Sequence, residues 1–302
     1  MKKKILLTGS SGFLGSYILD FLENKNYEVI KVGRSVKSDI KIDLSLNKLS
    51  KIDIDYVIHV AGKAHVIPKT EEEKKEFFRV NYIGTNNLLY GLDTTKLQSI
   101  IFISTVAVYG KEVGELIDEK SPLLGNTPYA LSKIQAEQSI IDFGIKNNIK
   151  TVVLRLPLVT GENPLGNLRS IIKAIKKGYY FRIGKGQAKK SIISASDIAN
   201  LIPDLFDLNG VYNLTDTSHP MISEIDSIIA KKFKKKIKSL PINLIKVIAK
   251  IGDIFYFFPF NSSKFEKLTN NLTFSNKKLF NKIKYRPSIG LSDIVKNLNN
   301  QN

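Results

Sequence analysis

Tyr129 and Lys133, in the run Thr127-Pro128-Tyr129-Ala130-Leu131-Ser132-Lys133, are the residues of this chain whose types and spacing best suit chemistry. Residues four apart on a helix share one face, one above the other. Thr127 suits an N-cap and Pro128 the first helical position, so the tyrosine falls in the opening turn and the lysine one turn later. An ammonium beside a phenol favours the phenolate and is expected to pull the tyrosine below its usual pKa of about 10. Such a group exchanges a proton with an alcohol or ketone near neutral pH. Pairs like this are also common on helix surfaces, so the meaning of this one depends on what surrounds it.

The N-terminus supplies that context. A short apolar strand, Lys2 to Leu7, runs into Thr8-Gly9-Ser10-Ser11-Gly12-Phe13-Leu14-Gly15 and then into an amphipathic helix over Phe13–Glu23. Strand, glycine turn and helix are the setting a dinucleotide-binding loop requires. Gly9 permits the tight turn, Gly12 lets backbone approach a pyrophosphate, and Gly15 allows helix to pack on strand. Free N–H groups and the positive helix end then face the anion along Ser11, Phe13 and Leu14.

Further strands are expected at Tyr27–Val32, Ile40–Ile42, Tyr56–Val60, Ser99–Ser104 and Thr151–Leu156, with helices over Glu71–Leu92 and Tyr129–Asn147 between them. Short apolar runs alternating with helices indicate an α/β fold, a Rossmann-type doubly wound parallel sheet. Past residue 160 the pattern loosens, with a return to the sheet near Val211–Leu214. This predicts a nucleotide-binding domain over 1–160 plus about 188–214, and a smaller substrate domain over about 161–187 plus 215–302.

Composition bounds the reading. The 302 residues contain no cysteine, which excludes disulfides, thiolate metal sites and cysteine nucleophiles. The three histidines, His59, His65 and His219, form no metal-ligand spacing. No run of about 18 apolar residues occurs and the N-terminus enters a strand at once, so neither a membrane span nor a signal peptide is expected, and the location expected is cytoplasmic. The net charge of +18 comes from scattered lysines. It suits an anionic small substrate or an acidic membrane surface better than a nucleic acid. The apolar stretch Pro241–Phe260 is open to core or lid packing, a peripheral membrane patch or a dimer surface.

Gly9-x-x-Gly12-x-x-Gly15 followed by Tyr129-x-x-x-Lys133 resembles the extended short-chain dehydrogenase/reductase superfamily, in its nucleotide-sugar branch. Asp43-Leu44 is similar to the adenine-contacting pair of that family. His59-Val60-Ala61-Gly62 resembles its cofactor-lining strand end, which Lys63 follows, and Asn81-Tyr82-Ile83-Gly84-Thr85 its site-supporting helix. Ser104-Thr105-Val106-Ala107-Val108-Tyr109-Gly110 places Thr105 where the family has a catalytic Ser or Thr, with Ser104 as the alternative should the strand register slip by one. Arg155-Leu156-Pro157-Leu158 resembles the segment beside the nicotinamide. The resemblance further implies substrate-diphosphate contacts from Asn167 and Lys190, the latter standing where the family has Arg. It also aligns Asp197 with an acidic residue, although a helix-capping role fits that position better.

These likenesses imply hydride exchange with a sugar carbinol carbon, with Tyr129 moving the hydroxyl proton and Thr105 fixing the oxygen. Lys133 would hold the nicotinamide ribose. The second strand ends in Arg34 instead of an acid, which suits the 2′-phosphate of NADP, with NAD as the alternative. Dehydratases of the family carry an Asp-Glu pair after the threonine; here those positions are Val106 and Ala107. The segments around 59–66 and 158–191 most resemble bacterial reductases acting at C4 of UDP-4-keto-6-deoxy-N-acetylhexosamines. A UDP-sugar 4-epimerase with retained NAD is the second reading, a non-catalytic NADP-binding sensor a third, and a homodimer is expected from the family.

Overall fold

The computed structural model describes residues 2–254 and 260–296. Of the aromatic run 255–260, only Phe260 is among the described residues; it packs against Ile245, Ala249 and Phe265. The chain begins β1 (Lys4–Thr8), α1 (Phe13–Asn24), β2 (Glu28–Gly33), β3 (Ile40–Lys41), β4 (Tyr56–His59), α2 (Glu71–Phe78), α3 (Gly84–Tyr90) and β5 (Ser99–Thr105). It continues through β6 (Gly114–Ile117), α4 (Pro128–Asn147), β7 (Lys150–Leu156), β8 (Leu158–Thr160), α5 (Gly166–Lys177), β9 (Phe181–Ile183), β10 (Ile192–Ser194), α6 (Ala195–Leu205) and β11 (Gly210–Asn213). The last part holds α7 (Ile222–Lys232), β12 (Lys238–Leu240), α8 (Ile242–Ile254), α9 (Ser262–Thr269), β13 (Leu272–Phe274), α10 (Lys277–Phe280) and α11 (Gly290–Lys296).

Seven strands form one parallel sheet in the order β3-β2-β1-β4-β5-β7-β11. The apolar strands supply both faces. Ile5, Leu7, Ile101 and Leu154 pack with Leu14, Ile18 and Leu22 of α1 and with Ile198, Leu201 and Ile202 of α6. Leu6, Val57, Ile100, Phe102 and Val153 pack with Leu88 of α3 and with Ala136 and Ile140 of α4. Burial on both sides is why these strands read as continuous apolar runs. The order reverses between β1 and β4, and in open α/β sheets the crevice at the strands' carboxyl ends at that point is where ligands bind.

The expected helix over Glu71–Leu92 is interrupted. It enters through a Thr70–Glu73 capping box, then widens to a π-turn over Arg79–Ile83 before α3. The cause is Asn81 at the centre of that turn. Its buried side chain is drawn inward to accept from Lys63 N (2.7 Å) and donate to Lys63 O (3.0 Å) and Ser132 Oγ (2.9 Å). Such single π-turns recur at functional sites.

Beyond the main sheet, β10 pairs with β8, β12 with β9 and β13 with β6, all parallel. Among the described residues no helix is long and apolar enough to cross a membrane.

Candidate active site

The glycine turn is shaped by contacts that only glycine satisfies. Gly9 has φ +73°, and a Cβ there would lie 2.7 Å from Ala61 N. A Cβ on Gly15 would lie 2.0 Å from Gly9 O, so α1 sits directly on the turn. Gly12 N donates to Gly9 O at 2.9 Å, and Gly12 caps α1 without a side-chain hydrogen bond or any acidic residue in the first turn. The uncapped N–H groups and helix dipole thus favour an anion at the β1/β4 crevice, so these residues fit a dinucleotide pyrophosphate. Gly15→Ala should destabilise the protein by about 1–3 kcal/mol through overpacking against backbone and weaken dinucleotide binding. Unchanged denaturant unfolding and unchanged titration would contradict that contact.

Opposite the turn, a buried chain of hydrogen bonds holds the end of β4. Thr85 Oγ1 donates to Asn81 O (2.6 Å), His59 Nε2 lies 2.9 Å from Thr85 Oγ1, and His59 Nδ1 lies 2.6 Å from Thr8 Oγ1. Thr8 Oγ1 accepts from Val60 N and Ala61 N. With Thr85 donating to Asn81, the consistent assignment puts the proton on Nε2 and lets Thr8 donate to Nδ1. Burial, with Lys133 adding, pushes His59 down to about 3 from 6.5. It therefore stays neutral in the fold while the unfolded chain protonates it. Stability should fall as pH drops from 6.5 toward 3, at up to about 1.4 kcal/mol per pH unit from this group. Denaturant unfolding between pH 6.5 and 5 should show a flatter slope for His59→Gln; coincident slopes would remove His59 as the cause.

Tyr129, in the first turn of α4, stands where the sequence puts it: Thr127 Oγ1 caps Ala130 N at 3.1 Å and Pro128 opens the helix. The phenol rests against Phe77, ring centroids 6.1 Å apart, and beside the Thr105 side chain. Its pKa is raised, because burial disfavours the phenolate more than hydrogen bonding to Thr105 favours it. The expected lowering by Lys133 is corrected here. The Lys133 ammonium donates instead to Ile103 O at 2.6 Å and lies 4.2 Å from the Phe102 ring centre. Burial brings Lys133 itself down to about 8, with Glu137 opposing the fall.

The register of β5 separates Thr105 from Ser104. Thr105 sits with Tyr129 and accepts from Ala107 N at 3.2 Å. Ser104, the alternative proton partner, is corrected: it is buried and donates its hydroxyl to Glu137. Glu137 in turn forms a two-pronged ion pair with Arg155, with Nη2 to Oε2 at 2.7 Å and Nε to Oε1 at 3.2 Å. Arg155 also donates to Tyr109 Oη at 3.1 Å, which donates to Asn213 Oδ1 at 2.7 Å. Glu137 and the role of Arg155 are absent from the sequence reading. The signal was available, since Tyr129, Lys133 and Glu137 repeat every four residues on one face of α4.

The remaining expected cofactor residues surround this centre. Gly62 lies under Asn81 and Lys133, a Cβ there falling 3.0 Å from Asn81 Oδ1 and 3.7 Å from Lys133 Nζ. Lys63 pairs with Glu76. Leu156 ends β7 beside Thr105, and Leu158 is partly buried in β8. At the far end of the crevice Arg34 is exposed, its Nη1 3.9 Å from Asp43 Oδ2. Ser45 holds the other Asp43 oxygen through N–H (2.9 Å) and hydroxyl (2.6 Å), which lowers that carboxyl first through its hydroxyl bond. Leu44 is buried among the core residues.

Of the expected substrate contacts, Asn167 is exposed in the first turn of α5. Lys190 is corrected: its ammonium donates to Lys267 O and Asn270 O, both at 2.9 Å, closing the carboxyl end of α9. Asp197 does not cap α6, which Ser194 does. It is buried and accepts from Tyr285 Oη, Ser288 N and Ile289 N, tying down the chain before α11. Among the described residues no cluster of His, Asp or Glu could hold a metal.

A profile of the NAD dependent epimerase/dehydratase family matches residues 5–213. The chain belongs to that family. The epimerase/dehydratase profile thus spans the glycine turn, Thr105, Tyr129 and Lys133. Among curated relatives, the UDP-glucose 4-epimerase of Vibrio cholerae is 28% identical over 80% of this chain and 79% of its own. The N-acetyl-alpha-D-glucosaminyl-diphospho-ditrans,octacis-undecaprenol 4-epimerase of Escherichia coli O157:H7 is 26% identical over 80% and 75%. Two solved structures share the fold: UDP-glucose 4-epimerase of Thermotoga maritima with UDP-glucose (TM-score 0.73, 19% identity, 97% and 98% covered) and RMD of Pseudomonas aeruginosa with NADPH (TM-score 0.72, 20% identity, 98% and 99% covered).

Proposed function

We propose that the protein is an NADP(H)-dependent nucleotide-sugar 4-ketoreductase that reduces the C4 ketone of a UDP-4-keto-6-deoxy-N-acetylhexosamine for surface-polysaccharide synthesis. The observation that carries this reading is the Tyr129 phenol beside Thr105, kept protonated by burial at the carboxyl ends of the central strands. A phenol that holds its proton at neutral pH is suited to give it to an oxygen that is gaining charge. Gly9, Ser11, Gly12, Phe13, Leu14 and Gly15 would hold the pyrophosphate. Asp43 and Leu44 would face the adenine, and Ala61, Gly62, Lys63, Asn81, Leu156 and Leu158 the rest of the dinucleotide. Arg34, whose weak exposed pairing with Asp43 leaves it free to turn, suits a 2′-phosphate.

When bound, the nicotinamide supplies the hydride. Tyr129 Oη passes a proton to the sugar O4, Thr105 orients that oxygen, and Lys133 anchors the ribose while Asn81 keeps the Lys63 loop in place. Residues 161–187 and 215–302, with Asn167, would contribute the substrate side, in a cytoplasmic homodimer. The relatives named as 4-epimerases favour a second reading, UDP-sugar 4-epimerisation with retained NAD. Mixing the protein with NADPH and a UDP-4-keto-6-deoxy-hexosamine separates the two. The reductase reading expects stoichiometric loss of NADPH absorbance, and Arg34→Ala should weaken NADPH but not NADH. No NADPH loss, together with interconversion of UDP-N-acetylglucosamine and its C4 epimer without added cofactor, would refute it.

A further inference from the structure

Helix α8 carries an apolar stripe that stands exposed among the described residues. Leu244, Val247, Ile251 and Ile254 are 52%, 55%, 46% and 77% exposed. Their spacing of three, seven and ten residues from Leu244 places them on one helix face. The opposite face does the packing, with Ile245 and Ala249 buried against Phe265. Scattered exposed leucines need no explanation, but a contiguous exposed stripe on one helix marks a contact surface.

The charge around the stripe says what kind of surface it meets. Between Asp226 and Asp253 the chain has eight lysines (231, 232, 234, 235, 236, 238, 246 and 250) and no carboxylate. Lys246 and Lys250 are exposed on α8 itself, on the flank of the stripe. Lys234, Lys235 and Lys236 are exposed on the approach to β12 and Lys238 is exposed at its start, and Pro241 leads from that strand into α8. Where α8 begins, Lys185 and Arg182 line an open hollow with Ser239, Leu240 and Pro241. Arg182 is held by Asp226. A self-associating face packs like against like, and so dense a lysine field would oppose its own copy. An anionic bilayer satisfies both features at once, because apolar side chains enter the acyl boundary while lysines meet the phosphates.

We infer that the α8 face is a docking surface for an anionic phospholipid bilayer, on which the protein sits peripherally. This inference does not depend on which sugar reaction the site performs. The probe is the full-length protein with phosphatidylcholine vesicles, with and without phosphatidylglycerol, in a sedimentation assay. Binding is expected with phosphatidylglycerol, weakening by roughly tenfold or more when it is omitted or when salt is raised. Leu244→Ser/Val247→Ser/Ile251→Ser and, separately, Lys246→Glu/Lys250→Glu should each weaken binding by roughly tenfold. Both variants alter exposed side chains, so their thermal unfolding should match the parent protein. Absence of binding to the anionic vesicles overturns the inference, as does binding of the serine variant at parental strength. A serine variant that changes only the protein's oligomeric state, with no lipid binding by the parent, assigns the face to a second copy and likewise overturns it.

Discussion

Tyr129→Phe is expected to lower turnover by about a hundred- to ten-thousand-fold, the range for removal of a positioned proton donor. The ring packing on Phe77 survives the change, because only the hydroxyl is lost. Dinucleotide binding should therefore stay near the parental value, since the glycine turn, Gly62 and Lys133 are untouched. Thr105 loses its partner but keeps its bond from Ala107 N, so β5 should not shift. The split between lost turnover and retained binding separates a proton-moving role from a structural one. A phenylalanine variant within a few-fold of parental turnover would take Tyr129 out of the chemistry.

The second large effect concerns stability. Arg155→Met should destabilise the protein by about 3–5 kcal/mol, because it leaves the Glu137 carboxylate buried without its partner. Glu137 and Arg155 are only 3% and 5% exposed. Ser104 and Lys133 remain near the carboxylate but do not replace the two-pronged contact. The double variant Glu137→Gln/Arg155→Met should recover part of the loss, since it removes both charges together. Glu137→Gln alone also bears on the site. Glu137 holds the Lys133 amine up against the effect of burial. Losing that charge should shift the alkaline limb of the pH–activity profile to lower pH. Equilibrium unfolding in denaturant measures the first effect. A cost below about 1 kcal/mol for Arg155→Met would place this pair among ion pairs that contribute little.

The legible part of this fold is the part governed by local rules. The glycine turn is readable because Gly9 and Gly15 meet backbone, and contacts with backbone tolerate no side chain. The start of α4 is readable because Thr127 and Pro128 are local signals. The central strands fall within a residue or two of their expected ends because an apolar run between helices has few other uses. Thr105 and Ser104 could be separated only once the register of β5 against β7 was visible, since a slip of one residue exchanges their faces.

What the sequence could not show depends on contacts between distant segments. The π-turn at Asn81 exists because of Lys63 and Ser132, 18 and 51 residues away in sequence. Lys190 matches a motif position, yet the carboxyl end of α9 takes its ammonium. Asp197 looks like a helix cap until the segment 285–289 closes over it. The lysine–tyrosine pair is the instructive case. Its spacing is real, but the ammonium turns to the Ile103 carbonyl, and burial of the phenol, opposed only by the Thr105 hydrogen bond, raises the tyrosine.

The most direct measurement follows a deuterium label from the cofactor to the sugar. The protein is incubated with NADPH carrying deuterium at the transferable C4 position of its nicotinamide and a UDP-4-keto-6-deoxy-N-acetylhexosamine, and the product is examined by mass spectrometry and NMR. One deuterium at the sugar C4, appearing in step with NADP formation and abolished by Tyr129→Phe, is the predicted result. Recovery of the 4-keto sugar unreduced, with the added NADPH intact, would contradict the account.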